Sequence, residues 1–293
     1  MKIIIAKTAG FCMGVDLALN KLDSAVAAPP QGGTIHTLGP IIHNPQVLER
    51  YQQHGVTQTD GKHPLNAADV VVIRAHGIPR QIQKNLEHQG VTLIDATCPK
   101  VKKAQILIQR QADQDKHLLL FGERDHPEVQ GLISYAPEHT VFESLEELQT
   151  HQLSPDTTYF LAAQTTQDRE AFDAIRDFLW ASVDQHMTIL DTICTATKDR
   201  QDEVRNLSRQ VQAMVIVGGR NSGNTRRLAQ IAKEAGIYAT HIETSEELPV
   251  HALAAFERIG LTAGASTPGW IIAEVASALQ EKLGTDGIEQ SDL

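Results

Sequence analysis

The sequence is poor in aromatic residues and has no long apolar run. Its 293 residues include seven Phe, four Tyr and two Trp, so we expect a core built mainly from aliphatic side chains. Its longer apolar runs, such as residues 70–73 and 118–121, are far shorter than the roughly 18 residues that a membrane-spanning helix needs. The sequence therefore predicts no membrane span, and its length predicts two or three domains.

Basic residues are outnumbered, with 26 Lys and Arg against 36 Asp and Glu, which gives a formal net charge of −10. Such a charge disfavours non-specific binding to nucleic acids and to anionic membranes. We therefore expect no nucleic-acid or membrane partner, and an anionic ligand needs a local site that overcomes the overall field. Near the start, three isoleucines stand between two lysines, a run too short for a signal peptide, so we expect a cytoplasmic protein.

Cysteine is also scarce. Cys12, Cys98 and Cys194 are an odd number of thiols in a protein expected in a reducing compartment, so the sequence does not predict a disulfide framework. Two interpretations remain, a metal-binding or catalytic role and three small buried residues at strand ends. The sequence contains no P-loop and no GxGxxG pattern after a predicted strand, which argues against a nucleotide site.

Short runs rich in Ile and Val alternate with longer amphipathic segments, which is typical of strands and helices alternating around parallel sheets. The sequence thus predicts an α/β fold. Predicted strands cover residues 2–6, 70–74, 92–95, 118–121, 159–162, 188–191, 214–217 and 259–262. Predicted helices include residues 101–111, 199–211 and 270–283, and the polar stretch after Gly284 is expected to be a flexible tail.

An internal repeat is the most informative feature of the sequence, because three local patterns recur three times in the same order. The cysteine station is a strand end followed by a cysteine and a helix. The second station is a glycine followed four residues later by a polar side chain, and the third station is another strand end before a helix. The cysteine stations are Cys12, Cys98 and Cys194, the second stations His43, His126 and Ser222, and the third stations His76, Thr165 and Ser266.

The repeat predicts three similar α/β units of roughly 90 residues around a pseudo-threefold axis. The predicted boundaries are residues 1–96, 97–192 and 193–284, with 285–293 as the tail. The second station follows the cysteine by 31, 28 and 28 residues, which agrees with a repeat. Because ligands of open α/β sheets bind outside the carboxyl ends of the strands, we expect the stations to converge. Chance similarity between glycine-rich loops is the alternative explanation.

Three converging cysteines would present three thiolates to one metal centre. The helix N-terminus expected after each sulfur is a favourable place for the negative charge of a ligating thiolate. Three ligands leave one coordination position open for a substrate, whereas a closed structural site uses four. The repeat therefore predicts a reactive metal centre at Cys12, Cys98 and Cys194.

Several polar residues of the second and third stations stand at predicted helix starts, where backbone N–H groups and the helix dipole attract anions. Simple N-capping explains any one of them taken alone. Together with histidines that can donate protons, they predict a pocket for a phosphate or diphosphate. These residues are His43, His76, His126, Ser222, Asn224 and Ser266.

Glu128 lies two residues after His126 in the segment DHPEVQG. A carboxylate in the first turn of a helix ordinarily interacts with the helix dipole. Beside bound thiolates and a polyanion, the same carboxylate would face negative charges that raise its pKa and suit it to carry a proton. Thr165 and Thr166 are placed to relay that proton or to orient a substrate hydroxyl.

Taken in series, the motifs GFCMGV, HNPQV, AHGIP, DATCPKV, DHPEVQG, QTT, NSGNTRRLA and TAGASTP, together with the Cys194 segment, cover nearly the whole chain. In this order they resemble the 4-hydroxy-3-methylbut-2-enyl diphosphate reductase family, whose members catalyse the last step of the non-mevalonate isoprenoid pathway. Two positions depart from the family pattern. Gly223 stands where many members have a second serine, and Leu17 stands where a basic residue is common.

The resemblance implies three α/β domains in a trefoil around a [4Fe-4S] cluster with three cysteine ligands and one open iron. It implies that Cys12, Cys98 and Cys194 are those ligands. Thr165 is expected near the substrate hydroxyl, Glu128 is expected to deliver protons, and His126 is the third residue expected to act in catalysis. It also implies a small electron donor such as ferredoxin or flavodoxin. The residues implied to bind the diphosphate are His43, His76, His126, Ser222, Asn224 and Ser266.

The resulting hypothesis is a reductive dehydroxylation. An allylic diphosphate receives two electrons through the cluster, Glu128 protonates the departing oxygen, and the products are isopentenyl and dimethylallyl diphosphate. No second acid stands in the motifs, so the diphosphate itself is the candidate donor of the last proton. Two other classes remain, an aconitase-like iron–sulfur hydro-lyase, which needs no external electrons, and a structural zinc protein.

Overall fold

The computed structural model describes residues 1–284 and 287–291. The strands in this part of the chain are β1 (Lys2–Ile5), β2 (Ile35–Leu38), β3 (Thr57–Thr59), β4 (Val70–Ile73), β5 (Thr92–Asp95), β6 (His117–Phe121), β7 (His139–Phe142), β8 (Tyr159–Ala163), β9 (Thr188–Ile189), β10 (Ala213–Val217), β11 (Tyr238–Ile242), β12 (Arg258–Ala263) and β13 (Ile288–Gln290). The α-helices are α1 (Met13–Ala27), α2 (Pro45–Gln53), α3 (Arg80–His88), α4 (Pro99–Ala112), α5 (Pro127–Ile133), α6 (Leu145–Thr150), α7 (Arg169–Ser182), α8 (Thr195–Ser208), α9 (Gly223–Glu234), α10 (Val250–Leu253) and α11 (Gly269–Leu283).

The strands form three parallel sheets, which confirms the predicted α/β class. Two sheets have four strands each, in the orders β3-β2-β4-β5 and β7-β6-β8-β9, and the third has five strands in the order β11-β10-β12-β1-β13. Each strand pair in them is parallel. A helix lies between most pairs of consecutive strands, because parallel neighbours need a crossover connection, whereas β3 and β4 are joined by a loop without a helix.

The three sheets repeat one topology, so the predicted internal similarity is present at the level of strand order. In each sheet an edge strand is followed by the strand before a second station, then the strand before a third station, then the strand before a cysteine. In the third sheet that last strand is β1, from the beginning of the chain. Along the chain, each predicted unit begins with its cysteine station. Across each sheet, the strand that precedes a cysteine is the fourth in the order given above.

The chain divides into two compact units. One comprises residues 1–15, 43–47 and 195–293, and the other comprises residues 16–42 and 48–194. The first, called here unit A, contains the five-stranded sheet, and the second, unit B, contains the two four-stranded sheets. The predicted boundaries at residues 96, 192 and 284 stay a prediction.

Aliphatic side chains fill both faces of the unit A sheet, as the scarcity of aromatic residues predicts. On one face Val215 and Leu261 pack with Val275 of α11, and on the other face Met214 packs with Leu207 of α8 and Leu228 of α9. All these side chains are fully buried. Parallel strands covered on both faces read as continuous apolar runs, which explains why the sequence revealed β10 and β12 so clearly.

The predicted tail differs from the structure in part. Residues 285, 286, 292 and 293 lie outside the described residues, but β13 pairs in parallel with β1. Beyond β13, the Ser291 N–H donates to the Ile5 carbonyl at 2.8 Å, and the Ser291 hydroxyl donates to Glu203. This strand has polar, exposed side chains. The sequence did not predict this strand, because β13 is stabilised by backbone pairing with β1 and not by burial of apolar side chains.

None of the helices within the described residues is long and apolar enough to cross a membrane.

Candidate active site

The structure confirms that all nine stations follow strands. The cysteines follow β1, β5 and β9, the second stations follow β2, β6 and β10, and the third stations follow β4, β8 and β12. Within each sheet these three strands are neighbours. Parallel strands end at the same edge of a sheet, so each sheet presents its station loops at the edge where ligands of such sheets bind.

Equivalent backbone hydrogen bonds tie each cysteine to the third-station loop of its own sheet. The N–H of Cys12 donates to Ala265 at 3.2 Å, that of Cys98 donates to Ala75 at 2.9 Å, and that of Cys194 donates to Thr165 at 3.0 Å. The acceptor is in each case the second residue after the strand. The predicted repeat therefore extends to individual hydrogen bonds, which chance similarity of loops does not explain.

In unit B, Glu128 and Thr165 form one hydrogen-bonded pair. The Thr165 N–H donates to Oε1 of Glu128 at 2.6 Å, and the Thr165 hydroxyl donates to Oε2 at 2.9 Å. Both side chains are buried, with Glu128 only 1% exposed. Since the Thr165 carbonyl accepts from the Cys194 N–H, the carboxyl group is linked through one residue to a predicted metal ligand.

The environment of Glu128 suits a proton donor. Burial raises the pKa of this carboxyl to about 7, although the two hydrogen bonds from Thr165 act in the opposite direction. A buried carboxylate loses the hydration that stabilises its charge, so the protonated form is favoured. The sequence argument expected neighbouring negative charges to raise this pKa, whereas in the structure desolvation is the main cause.

His126 and His76 also meet in unit B. Their ring centroids lie 5.3 Å apart with the ring planes at 88°, an edge-to-face contact. His126 precedes α5, and its Nδ1 accepts from the Glu128 N–H at 3.1 Å. With Nδ1 acting as an acceptor, the ring N–H of His126 lies on Nε2, where it can donate a hydrogen bond to an anion.

Cys98 and Cys194 are both partly buried thiols in unit B. Cys98 is the N-cap of α4, with φ −54° and ψ 133°, and Pro99 is the first helical residue. Three residues before Cys98, Asp95 accepts from the Thr97 N–H at 2.9 Å and from Lys102 at 2.8 Å. These contacts fix the turn that presents the thiol at the start of the helix.

In unit A, Ser222 and Asn224 stand at the start of α9. Ser222 is its N-cap and accepts from the Thr225 N–H at 3.3 Å, so the capping role considered from the sequence is present. The Asn224 side chain is 4% exposed, and among the described residues neither its Oδ1 nor its Nδ2 has a hydrogen-bond partner. A buried amide without partners costs free energy, which is offset when a ligand supplies the missing bonds.

Ser266, His43 and Cys12 lie in unit A as well. The Ser266 hydroxyl donates to the His43 carbonyl at 3.2 Å, which ties a third-station loop to a second-station residue. Nearby in the sequence, Gly264 is needed because a Cβ there would lie 1.9 Å from Oγ1 of Thr225. The loop to Ser266 therefore packs directly against the first turn of α9.

The loop that leads to Cys12 is held from α8. The Glu203 carboxylate accepts from the N–H groups of Lys7 at 2.7 Å and Thr8 at 2.9 Å, and Arg200 donates to the Gly10 carbonyl at 2.7 Å. Burial opposes ionisation of Glu203, but hydrogen bonds that include those from Ser291 and Thr8 hold its pKa below the usual value. The sequence did not predict that Glu203 and Arg200 hold the loop before Cys12.

Sequence reasoning also missed two equivalent sets of contacts, called here loop clamps, in which an arginine before a second station binds two glutamates. In unit B the Arg124 N–H donates to Glu143 at 3.1 Å and its guanidinium pairs with Glu147, which braces the loop before His126. In unit A the Arg220 N–H donates to Glu243 at 2.6 Å and its guanidinium pairs with Glu247, before Ser222. The signal was present in the sequence, because ESLEEL at residues 143–148 recurs as ETSEEL at residues 243–248.

The predicted site residues thus fall into two sets. Unit B holds His76, Cys98, His126, Glu128, Thr165 and Cys194, and unit A holds Cys12, His43, Ser222, Asn224 and Ser266. The unit B set combines a proton-carrying carboxyl with imidazoles and thiols. The unit A set offers hydroxyl, amide and backbone N–H donors at helix starts, which is the chemistry of an anion site.

Comparison with known proteins agrees with this chemistry. The model of the LytB protein family matches residues 3–280, which is nearly the whole chain. The chain belongs to the LytB family. Relatives of this LytB chain include the 4-hydroxy-3-methylbut-2-enyl diphosphate reductase of Solidesulfovibrio magneticus, 52% identical over 284 residues that cover 96% of this chain and 99% of the relative. The enzyme of the same name from Aquifex aeolicus is 40% identical, with 95% and 96% covered. The predicted family resemblance is therefore confirmed.

Solved structures of the family share the fold. A structure of (E)-4-hydroxy-3-methyl-but-2-enyl diphosphate reductase, described as the terminal enzyme of the non-mevalonate pathway, is similar with a TM-score of 0.69 and 39% identity, covering 96% of this LytB chain and 99% of that one. The E-1-hydroxy-2-methyl-but-2-enyl-4-diphosphate reductase of Plasmodium falciparum gives a TM-score of 0.90 at 23% identity, with 99% and 92% covered. At that identity the second likeness shows the fold alone.

Proposed function

We propose that this LytB chain reduces 4-hydroxy-3-methylbut-2-enyl diphosphate to isopentenyl and dimethylallyl diphosphate. The names of its relatives support the reaction class. The observation that carries the proposal is the buried Glu128 carboxyl, whose raised pKa of about 7 and paired bonds to Thr165 make it a proton donor at neutral pH.

The reaction requires two protons and two electrons. The allylic C–O bond breaks, the oxygen leaves as water after receiving one proton, and a second proton adds to carbon to give either product. Glu128 supplies the proton to the oxygen, and its conjugate base is stabilised by both hydrogen bonds from Thr165. The diphosphate supplies the second proton, since the motifs offer no other acid.

The diphosphate is bound by donors at loop and helix starts. His126 presents Nε2 as a donor because Nδ1 is occupied by the Glu128 N–H. Asn224 brings a buried amide whose bonding capacity is unfilled within the described residues. The residues assigned to the diphosphate are His43, His76, His126, Ser222, Asn224 and Ser266, and Thr165 is assigned to the substrate hydroxyl.

The donor set fits an iron–sulfur cluster. All three cysteines are thiols in partly buried loops with equivalent backbone bonds, and a helix begins directly after each one. Three equivalent thiolates suit a [4Fe-4S] cluster with one open iron, which Cys12, Cys98 and Cys194 would hold. When bound, this cluster supplies the two electrons and a Lewis-acidic iron.

Anaerobic purification tests the cluster and the reaction together. We expect a brown protein with about four irons and matching labile sulfide, which consumes the allylic diphosphate only when a reductant is present. A colourless protein with one zinc would contradict the proposal. Turnover without a reductant would instead identify a hydro-lyase, the alternative that shares an open iron.

A further inference from the structure

Glu203 of α8 joins two segments of unit A that are far apart in the sequence. Its Oε1 accepts from the Lys7 N–H at 2.7 Å, and its Oε2 accepts from the Thr8 N–H at 2.9 Å and from the Thr8 hydroxyl. The Ser291 hydroxyl also donates to Oε1. Glu203 is 5% exposed and Ser291 is 4% exposed, so these bonds are shielded from water. The carboxylate therefore ties the start of the Cys12 loop to α8 and to the segment after β13.

The Cys12 loop is the longest of the three cysteine loops. Each cysteine is joined to the strand before it by a loop, which comprises residues 6–11 for Cys12, 96–97 for Cys98 and 190–193 for Cys194. Each additional residue has backbone freedom that must be lost before the cysteine occupies one position. The Cys12 loop therefore needs the most contacts from other segments.

The strand before Cys12 also has a neighbour that its two counterparts lack. In the described part of the chain, β5 and β9 lie at the edges of their sheets, whereas β1 is internal because β13 pairs with it. Beyond β13, the Ser291 N–H donates to the Ile5 carbonyl at 2.8 Å, which places the Ser291 hydroxyl at Glu203. The additional strand and the carboxylate thus act on the same loop.

Arg200 holds the other end of this loop from the same face of α8, since residues three apart on a helix are neighbours. Its guanidinium donates to the Gly10 carbonyl at 2.7 Å, and its side chain is buried. Gly10 has a φ of 107°, and a Cβ there would lie 3.3 Å from Cδ1 of Ile272. Helix α8 therefore fixes the loop both at residues 7–8 and two residues before Cys12.

The contacts at residue 203 require a carboxylate and not merely a side chain of that shape. The two backbone N–H groups of Lys7 and Thr8 donate to different oxygens of Glu203. A carboxylate accepts at both oxygens, whereas an amide accepts at one oxygen and presents N–H donors at its other end. In either orientation, Glu203→Gln brings a donor against a buried N–H.

We propose that Glu203 is a positioning residue for Cys12, which it holds through residues 7–8 in the place where the thiolate binds the cluster. The proposal rests on the proposed function, in which Cys12 is one of the three cluster ligands. Without the carboxylate, the Cys12 loop becomes mobile, whereas the loops of Cys98 and Cys194 keep their own contacts in unit B. Cys12 is then the first ligand to leave the cluster.

Hydrogen exchange on the anaerobically purified protein tests whether Glu203 holds the loop. In Glu203→Gln we expect the backbone amides of residues 9–12 to exchange about tenfold faster than in wild type, because hydrogen bonds to a charged group that close the loop are lost. The amides of residues 96–98 and 190–194 should exchange as in wild type.

Two further variants accompany this measurement. Ser291→Ala removes one donor to the carboxylate and should give a smaller increase in exchange at residues 9–12. Asp202→Asn removes an exposed carboxylate at the neighbouring position of α8 and is the matched control, which should exchange as wild type.

The rate of iron release connects the loop to the cluster. When an excess of a ferrous chelator is added under anaerobic conditions, Glu203→Gln should lose iron about tenfold faster than wild type, as is usual when a residue that orients a metal ligand is replaced. Asp202→Asn should lose iron at the wild-type rate.

The outcomes separate this proposal from the proposed function. Unchanged exchange at residues 9–12 overturns the positioning role, and so does faster exchange throughout the chain, which indicates a general loss of stability. Faster exchange at residues 9–12 with an unchanged rate of iron release also overturns it, because the loop then does not hold the ligand. If the wild type binds iron but does not consume the allylic diphosphate with a reductant, the proposed reaction fails and the positioning result stands. If the wild type binds no iron, the proposed function fails, and the exchange at residues 9–12 still decides whether Glu203 holds the Cys12 loop.

Discussion

Thr165 holds the Glu128 carboxyl with two hydrogen bonds, one from its backbone N–H and one from its hydroxyl, at 2.6 and 2.9 Å. The backbone bond depends on the path of the loop after β8, and the hydroxyl bond depends on the residue type. The same Thr165 accepts from the Cys194 N–H, so the orientation of the carboxyl and the position of a predicted cluster ligand are set by one loop.

Replacing Glu128 by glutamine should remove the proton donor while keeping its shape. We expect Glu128→Gln to retain iron content and substrate affinity but to lose at least about 100-fold in kcat, the usual contribution of a positioned acid. Steady-state kinetics and iron analysis on the same preparation check this. Glu138→Gln, at an exposed position, is the matched control. A kcat near that of wild type in Glu128→Gln would remove Glu128 from the mechanism.

The pH dependence of kcat should report the raised pKa of Glu128. This carboxyl must be protonated to act, and burial raises its pKa to about 7. We therefore expect kcat to be constant at lower pH and to fall as pH rises through about 7, with a residual, flatter profile in Glu128→Gln. If kcat fell at the same pH in wild type and in Glu128→Gln, the titration would belong to another group.

Thr165 offers a test of how that pKa is set. In Thr165→Val the hydroxyl bond that favours the carboxylate is lost, whereas the backbone N–H bond remains. A charged hydrogen bond of about 1.5 kcal/mol corresponds to roughly one pH unit, so the alkaline limb of kcat should move up by about that amount. Thr165→Ser keeps the hydroxyl and should keep the wild-type limb. An unmoved limb in Thr165→Val would show that this bond does not tune Glu128.

Replacing Asn224 by leucine should increase the stability of the substrate-free protein and weaken substrate binding. Because its buried amide lacks partners within the described residues, Asn224→Leu is expected to raise the melting temperature of the substrate-free protein and to increase KM at least tenfold. Asn44 is the matched control, since its Oδ1 accepts from the Val47 N–H at 3.0 Å and Asn44→Leu should lower the melting temperature. Anaerobic thermal melts and substrate titrations measure both effects. A lower melting temperature in Asn224→Leu would contradict the assignment.

The loop clamps should affect substrate binding more than stability. Glu247→Gln weakens the pair with Arg220 ahead of Ser222. The pair is partly exposed, so the free energy of unfolding should change by less than about 1 kcal/mol, whereas KM for the diphosphate should rise severalfold with kcat less affected. Glu246→Gln, at the exposed neighbouring position, should change neither quantity. Equal changes in KM for both variants would exclude a role of the clamp.

Much of the fold could be predicted because buried parallel strands have a strong local signature. The strands β4, β6, β8, β10 and β12 were found from continuous apolar runs, which are typical of buried parallel strands. The edge strands β3, β7 and β11 were not found, because they have more exposed residues and lack a continuous apolar run. β13 was expected to be part of a flexible tail, since its polar sequence does not show that it pairs with β1.

The sequence by itself determined which chemical groups are available and in what order: three cysteines, the station histidines and hydroxyls, and Glu128 two residues after His126. Local chemistry and repetition along the chain are enough for that. Only the tertiary structure decided that Thr165, 37 residues after Glu128, encloses its carboxyl, that desolvation rather than neighbouring charge raises its pKa, and that β1 completes the last sheet. These depend on contacts between distant segments, whose burial and distances follow from packing of the whole domain and not from any local pattern.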